Sequence, residues 1–299
     1  MPRNWTLSFE VMPPRNPQTA PKFWHNVDEL VKLRPQFLSV TYGAAGKNRG
    51  TALDVAIKIV KDTPITPLAH LTSADMAKED VEKVVDKFLQ HGIRMFLALR
   101  GDPQTVDTER KVPVGTKMVE SASELTYLIR SHDRRNQRLN ASEKFKSIAR
   151  PLVIAVAAFP DGNPELRTNQ DQEIERLLEK QDAGADFAIT QLFYDSKVFD
   201  SFMQKSRKRG VTLPIIAGIM PTWEPHRLNR SFENIGIRPS EQLLRDLNNA
   251  DNDELRENIG LQFFQNLSSH ALQSGATGLH FFTFNNSEPS VELLKTMSS

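Results

Sequence analysis

Polar side chains recur in this sequence where short apolar runs stop. Glu10 closes SFE, Thr41 and Tyr42 follow FLSV, His70 and Thr72 stand in LAHLT, and Arg100 and Asp102 follow MFLAL. Gln191 follows FAIT, and Phe284 lies in HFFTFNN. Carboxyls and an imidazole can move protons, and a guanidinium can hold an anion. Each residue also has a structural alternative. Glu10 could pair with Arg15, Asp102 could serve a Gly-Asp-Pro turn, His70 could be a satisfied core histidine, and Gln191 could tie down a loop. Phe159, Phe281, Phe282 and Phe284, taken alone, read as packing. Stability does not explain the whole set if the fold brings these run ends to one face.

The runs themselves read as strands at about 6–11, 36–41, 66–71, 94–100, 152–158, 186–191, 214–219 and 278–284. They are dense in Val, Ile, Leu, Phe and Ala and lack polar alternation, the mark of a parallel sheet buried on both faces. The segments between them have helical period. In 78–91, Val81, Val84, Val85, Phe88 and Leu89 form one stripe, and Gly92 stands where a left-handed stop belongs. In 253–273, Leu255, Ile259, Phe263 and Leu267 recur every four residues, with Asp251 or Asp253 as the expected cap. A helix after Pro164 carries Ile174, Leu177 and Leu178 and ends near Gly184.

Eight strand–helix units predict an α/β fold, a (β/α)8 (TIM) barrel with residues 1–299 as one domain. An open doubly wound sheet is the alternative. In a barrel, the C-terminal strand ends share one face, and that face is where active sites lie. Residues 131–150, SHDRRNQRLNASEKFKSIAR, read as a polar loop excursion.

Composition removes other classes. The 299 residues carry 38 Lys and Arg against 37 Asp and Glu, so no basic footprint for nucleic acid stands out. There is no Cys, which excludes disulfides, a thiolate nucleophile and Cys-ligated metal. No His pair has metal-site spacing on one helix, and none of G-x-G-x-x-G, a P-loop or G-x-S-x-G occurs. The run from Leu152 to Phe159 falls far short of the roughly 20 residues that span a bilayer. The N-terminus lacks the apolar core of a signal peptide, so a soluble, cytoplasmic protein is expected.

At the strand ends the sequence resembles the methylenetetrahydrofolate reductase family in its bacterial, FAD-dependent form. SFEVMPPR is similar to the family's SFEFFPPR, and SVTYGA, AHLT, ALRGD, AAFPDGNPE, DAGADFAITQLFYD, an I-x-G-I-x-P segment and HFFTFN follow in family order. Singly these are weak; eight in order, each at an expected strand end, are specific. The resemblance implies a barrel that passes hydride from NADH or NADPH to FAD, then to methylenetetrahydrofolate, giving methyltetrahydrofolate. It makes Glu10 the general acid that opens the substrate's five-membered ring, and an apolar mouth would raise its pKa.

It places Asp102 near the flavin and the pterin, and Gln191 and Phe284 on the substrate. It assigns Thr41, His70, Arg100, Gly101, Asp102, Ala122, Phe159, Glu173 and Lys180 to the FAD site. It implies no metal, a small-molecule folate substrate, and a homo-oligomer with neither nucleic-acid nor membrane partner. The chain departs from the enterobacterial pattern at Ser121, Phe159, Asn163, Arg176 and Glu179 on the cofactor side. On the folate side it departs at Pro225 and Asn286, with Trp223 as an alternative stacking surface. A flavin-free reductase with direct hydride transfer and a non-catalytic folate-binding relative are the competing readings.

Overall fold

Every expected apolar run is a strand in the structure, a computed structural model that describes residues 3–41, 49–74, 76–101, 116–139 and 151–297. The strands are β1 (Thr6–Val11), β2 (Phe37–Val40), β3 (Thr66–Thr72), β4 (Met95–Leu99), β5 (Val153–Ala158), β6 (Phe187–Thr190), β7 (Ile215–Ile219) and β8 (Gly278–Phe282). Each pairs in parallel with the next, and β1 pairs with β8, so the sheet closes in the order β1 to β8. This is the (β/α)8 barrel, and the open-sheet alternative falls.

The helices wrap the outside. They are α1 (Ala20–Lys32), α2 (Arg49–Asp62), α3 (Lys78–Leu89), α4 (Ala122–Leu139), α5 (Gln170–Asp182), α6 (Ser196–Lys208), α7 (Pro225–Ile235), α8 (Glu241–Asn248), α9 (Asp253–Gln273) and α10 (Glu288–Thr296). The closed sheet produces two apolar layers. Outward residues such as Leu7, Phe9, Val11, Phe96, Ile154 and Phe281 pack against the helices. Inward residues Phe37, Leu68, Leu97, Ala155, Phe187, Ile189 and Ile216 fill the barrel. Burying a side chain of this size contributes about 1.5–3 kcal/mol, which is why the strand runs are apolar on both faces.

Two local expectations change. The cap of α9 is neither Asp251 nor Asp253 but Asn252, whose side chain accepts from Leu255 N at 2.8 Å. An uncharged amide oxygen supplies the missing acceptor, and Asp253 becomes the first helical residue. The expected excursion over 131–150 starts later, because Ser131 to Leu139 form the last turns of α4. Leu125, Ile129, His132 and Asp133 are buried on one face of that helix, so Arg134 and Arg135 belong to its solvated side rather than to a loop. Residues 140–150 lie outside the described set. Gly92 takes φ +77°, the left-handed stop expected after α3.

Candidate active site

The barrel's upper interior is polar, which packing alone does not require. Register places Ser8 beside His280 and Glu10 beside both Ser39 and Phe282. Ser8 Oγ lies 2.8 Å from His280 Nδ1, and Ser39 Oγ lies 2.5 Å from His70 Nε2. These four side chains are buried. Burial holds both imidazoles neutral, their pKa values lowered to about 3, with the neighbouring His70 adding to the effect on His280.

Glu10 stands at the top of this column with 17% of its side chain exposed. Its Oε2 is 3.8 Å from His70 Nε2, and among the described residues no lysine or arginine pairs with it. Arg15 is therefore not its partner. Desolvation, unrelieved by a cation, pushes the carboxyl up to about 7. A carboxyl with that pKa is half protonated near neutral pH and can give up a proton there.

Room for the top of β8 comes from β7. A Cβ on Gly218 would lie 2.2 Å from Thr190 O and 2.7 Å from Phe282 Cε2, so only glycine lets the Phe282 ring occupy the barrel. Phe282 in turn stands edge-on to His280, with ring centroids 5.3 Å apart.

The neighbouring strand ends carry cations. Arg100 closes β4 and pairs with Glu165 at 2.5 Å. Gly101 follows with φ +80°, and a Cβ there would stand 2.8 Å from Ala74 Cβ. Its backbone therefore runs against the end of β3, where Ser73 N donates to Leu99 O and Ala74 N donates to Arg100 O. Lys180 reaches from α5 to β5. Its buried ammonium donates to Ala157 O at 2.8 Å and lies 5.9 Å from the Phe159 ring centroid. Burial lowers its pKa to about 8. Glu173, buried beside it, is held by Thr168 Oγ1 at 2.5 Å and lies 3.7 Å from Arg176 Nε.

The remaining expected positions fall as follows. Thr41 ends β2, half-buried, with its N–H on Val11 O. Gln191 ends β6, and its amide oxygen accepts from Leu192 N at 2.9 Å. Ala122 is buried as the first residue of α4. Phe284 follows β8 and is 45% exposed. Asp102 and Tyr42 lie outside the described residues. The fold thus brings Glu10 and His70 into one group and Phe159, Glu173 and Lys180 into another, both at C-terminal strand ends.

Ser8, Ser39, His280 and Asn285 were not singled out by sequence reasoning. For the first three the signal is a lone polar residue within an apolar strand run, as Ser39 in FLSV and His280 in GLHFF, while Asn285 lies beyond the end of β8.

Comparison with known proteins shows the family. The family model described as methylenetetrahydrofolate reductase matches residues 2–298. The chain belongs to the methylenetetrahydrofolate reductase family.

Relatives named 5,10-methylenetetrahydrofolate reductase include that of Buchnera aphidicola (Schizaphis graminum), 30% identical over 94% of this chain and 88% of its own. That of Escherichia coli K12 is 29% identical over 97% of this chain and 90% of its own. A plant relative from Arabidopsis thaliana, named methylenetetrahydrofolate reductase (NADH) 1, is 28% identical over 97% of this chain but only 48% of its own. Among solved structures, a Clostridium thermocellum protein described as binding two copies of 5-methyl-5,6,7,8-tetrahydrofolic acid superposes with a TM-score of 0.64. It is 15% identical and covers 98% of this chain and 95% of its own, a likeness of fold. Among the described residues, no helix is long and apolar enough to cross a membrane.

Proposed function

We propose that this protein reduces 5,10-methylenetetrahydrofolate to 5-methyltetrahydrofolate, using NADH or NADPH through bound FAD, with Glu10 as the general acid. The observation that carries the reading is the Glu10 carboxyl, without a cationic partner among the described residues and about half protonated near neutral pH, at the barrel mouth with a neutral imidazole below it. The substrate's methylene bridge sits in a ring and accepts hydride poorly. Glu10 gives its proton to one bridging nitrogen, the ring opens, and the resulting iminium carbon becomes electrophilic. The Glu10 carboxylate then regains a proton from water through its exposed edge. General acid catalysis of this kind is typically worth about 10²–10⁴-fold.

The residues present fit FAD. Lys180 offers a buried ammonium, and Arg100 a guanidinium paired with Glu165, both suited to phosphate oxygens. Gly101 brings backbone close to the same rim, with Thr41, Ala122, Phe159 and Glu173 as the further contacts. When bound, FAD supplies the hydride relay between nicotinamide and folate. His70 serves from beneath, as the neutral neighbour of Glu10, and Gln191 and Phe284 face the folate. Asp102, assigned by family resemblance, stabilises the cationic iminium. A cytoplasmic homo-oligomer completes the reading.

The test is the visible spectrum of the purified protein. Flavin absorbance that bleaches with anaerobic NAD(P)H and returns on adding methylenetetrahydrofolate supports the reading. A colourless protein that still couples NAD(P)H oxidation to folate makes it flavin-free, and folate binding without turnover makes it a silent relative.

A further inference from the structure

The β1–β8 ladder ends at Glu10 and Phe282, yet two side chains carry the seam onward. Thr283 Oγ1 donates to Glu10 O at 2.6 Å. Asn285 then grips Met12 twice, its Oδ1 accepting from Met12 N at 2.9 Å and its Nδ2 donating to Met12 O at 2.6 Å. The amide group mimics a strand residue, so the backbone is fixed at Glu10 and again two residues beyond it.

Asn285 is itself anchored. Its carbonyl accepts from Asn26 Nδ2 at 2.8 Å, and Asn26 Oδ1 accepts from Ser287 Oγ at 2.9 Å. Its N–H donates to Thr283 Oγ1 at 3.2 Å. The turn that makes this possible is costly. Phe284 and Asn285 take φ of 48° and 58°, a left-handed conformation that asparagine tolerates and phenylalanine resists. Phe284 is exposed as well as strained, so core packing does not explain the turn. Beside presenting Phe284, the turn grips the strand that carries Glu10.

We propose that Asn285 is a positioning residue, its two-point clip on Met12 setting where the Glu10 carboxyl stands at the barrel mouth and how well it reaches the substrate. The proposal rests on the functional reading above.

Two variants of the flavin-loaded protein test it. Asn285→Gly keeps the left-handed turn and removes the clip. Thr283→Val keeps the shape of its side chain and removes both the bond to Glu10 O and the acceptor for Asn285 N. Reduction of the flavin by NAD(P)H and its reoxidation by methylenetetrahydrofolate are followed separately by stopped flow. In both variants we expect flavin reduction within about twofold of wild type and a folate step slowed about 10- to 100-fold, the size expected for a misplaced catalytic group. The loss should fall on kcat, with KM for the folate little changed.

A wild-type folate step in both variants overturns the proposal. So does an equal loss in both half-reactions together with a lowered melting temperature, since that reports a structural role only. If Asn285→Gly does not fold, Asn285→Asp takes its place, since it keeps the acceptor for Met12 N and removes the donor to Met12 O, and the same outcomes decide. Absence of folate reduction in the wild type overturns the functional reading, and this proposal with it.

Discussion

Glu10 Oε2 lies 3.8 Å from His70 Nε2, and the imidazole is tied to Ser39 Oγ at 2.5 Å. The arrangement pairs an acid with a base that burial keeps neutral. It gives the carboxyl a polar neighbour without the charge that would ionise it. The chemistry of the site follows from that choice.

Glu10→Gln should keep flavin binding and flavin reduction by NAD(P)H while losing folate reduction by about 10²–10⁴-fold. In the wild type, the folate step should hold its rate below about pH 7 and fall above it, because the proton to be donated is lost as pH passes the folded pKa. Rapid-mixing measurements of the separate half-reactions across pH check both points. Wild-type folate turnover in Glu10→Gln would remove the residue from the mechanism.

The same carboxyl makes a stability prediction. Its pKa rises from 4.5 to about 7 on folding, so the folded chain keeps a proton that the unfolded chain has released. Stability from this group is present below pH 4.5 and is lost as pH rises toward 7. Glu10→Gln should therefore be more stable than wild type above pH 7, by on the order of 3 kcal/mol. Urea unfolding on both sides of this window measures the difference, and equal curves would contradict the buried, unpaired carboxyl.

His70 and His280 act with the opposite sign. Their pKa values fall from 6.5 to about 3, so protonation of the unfolded chain weakens folding as pH drops through that window. Replacing His70 with Gln removes one titrating group and should flatten the acid side of the stability curve. An unchanged slope in His70→Gln would mean that this imidazole is solvated in the folded state.

Lys180→Met separates cofactor binding from folding. The buried ammonium is held by one carbonyl and faces Glu173, which keeps Thr168 and Arg176 as partners, so stability without flavin should change by less than about 1 kcal/mol. FAD affinity should fall about tenfold or more if the ammonium meets a phosphate, since hydrogen bonds to charged groups are worth about 1.5–3 kcal/mol. Flavin fluorescence titration reads the second effect and thermal unfolding the first. Unchanged affinity would take Lys180 out of the FAD site.

Gly218→Ala tests the packing at the mouth. The added Cβ meets Thr190 O and the Phe282 ring, and overpacking of this kind costs about 1–3 kcal/mol. Thermal unfolding should register the loss, and a neutral result would show that Phe282 can leave the barrel.

The sequence by itself determined the scaffold and the order of its parts. Eight apolar runs separated by helical stripes set a parallel α/β sheet, because the periods that distinguish strand from helix are local and survive without knowledge of partners; that the sheet closes rests on the pairing of β1 with β8. The strand-end residues from Glu10 to Gln191 could be listed for the same reason, since a run's end is visible in the chain. Only the tertiary structure decided what those residues meet. That Glu10 lacks Arg15 and faces His70, that His70 turns to Ser39, and that Arg100 spends its charge on Glu165 all depend on contacts between residues distant in sequence. The basic stretch after Ser131 misled for a related reason, because a solvated helix face and a polar loop share one composition until burial of His132 and Asp133 separates them. Protonation state, the property on which the chemistry turns, is set by desolvation, and desolvation exists only once the barrel has closed.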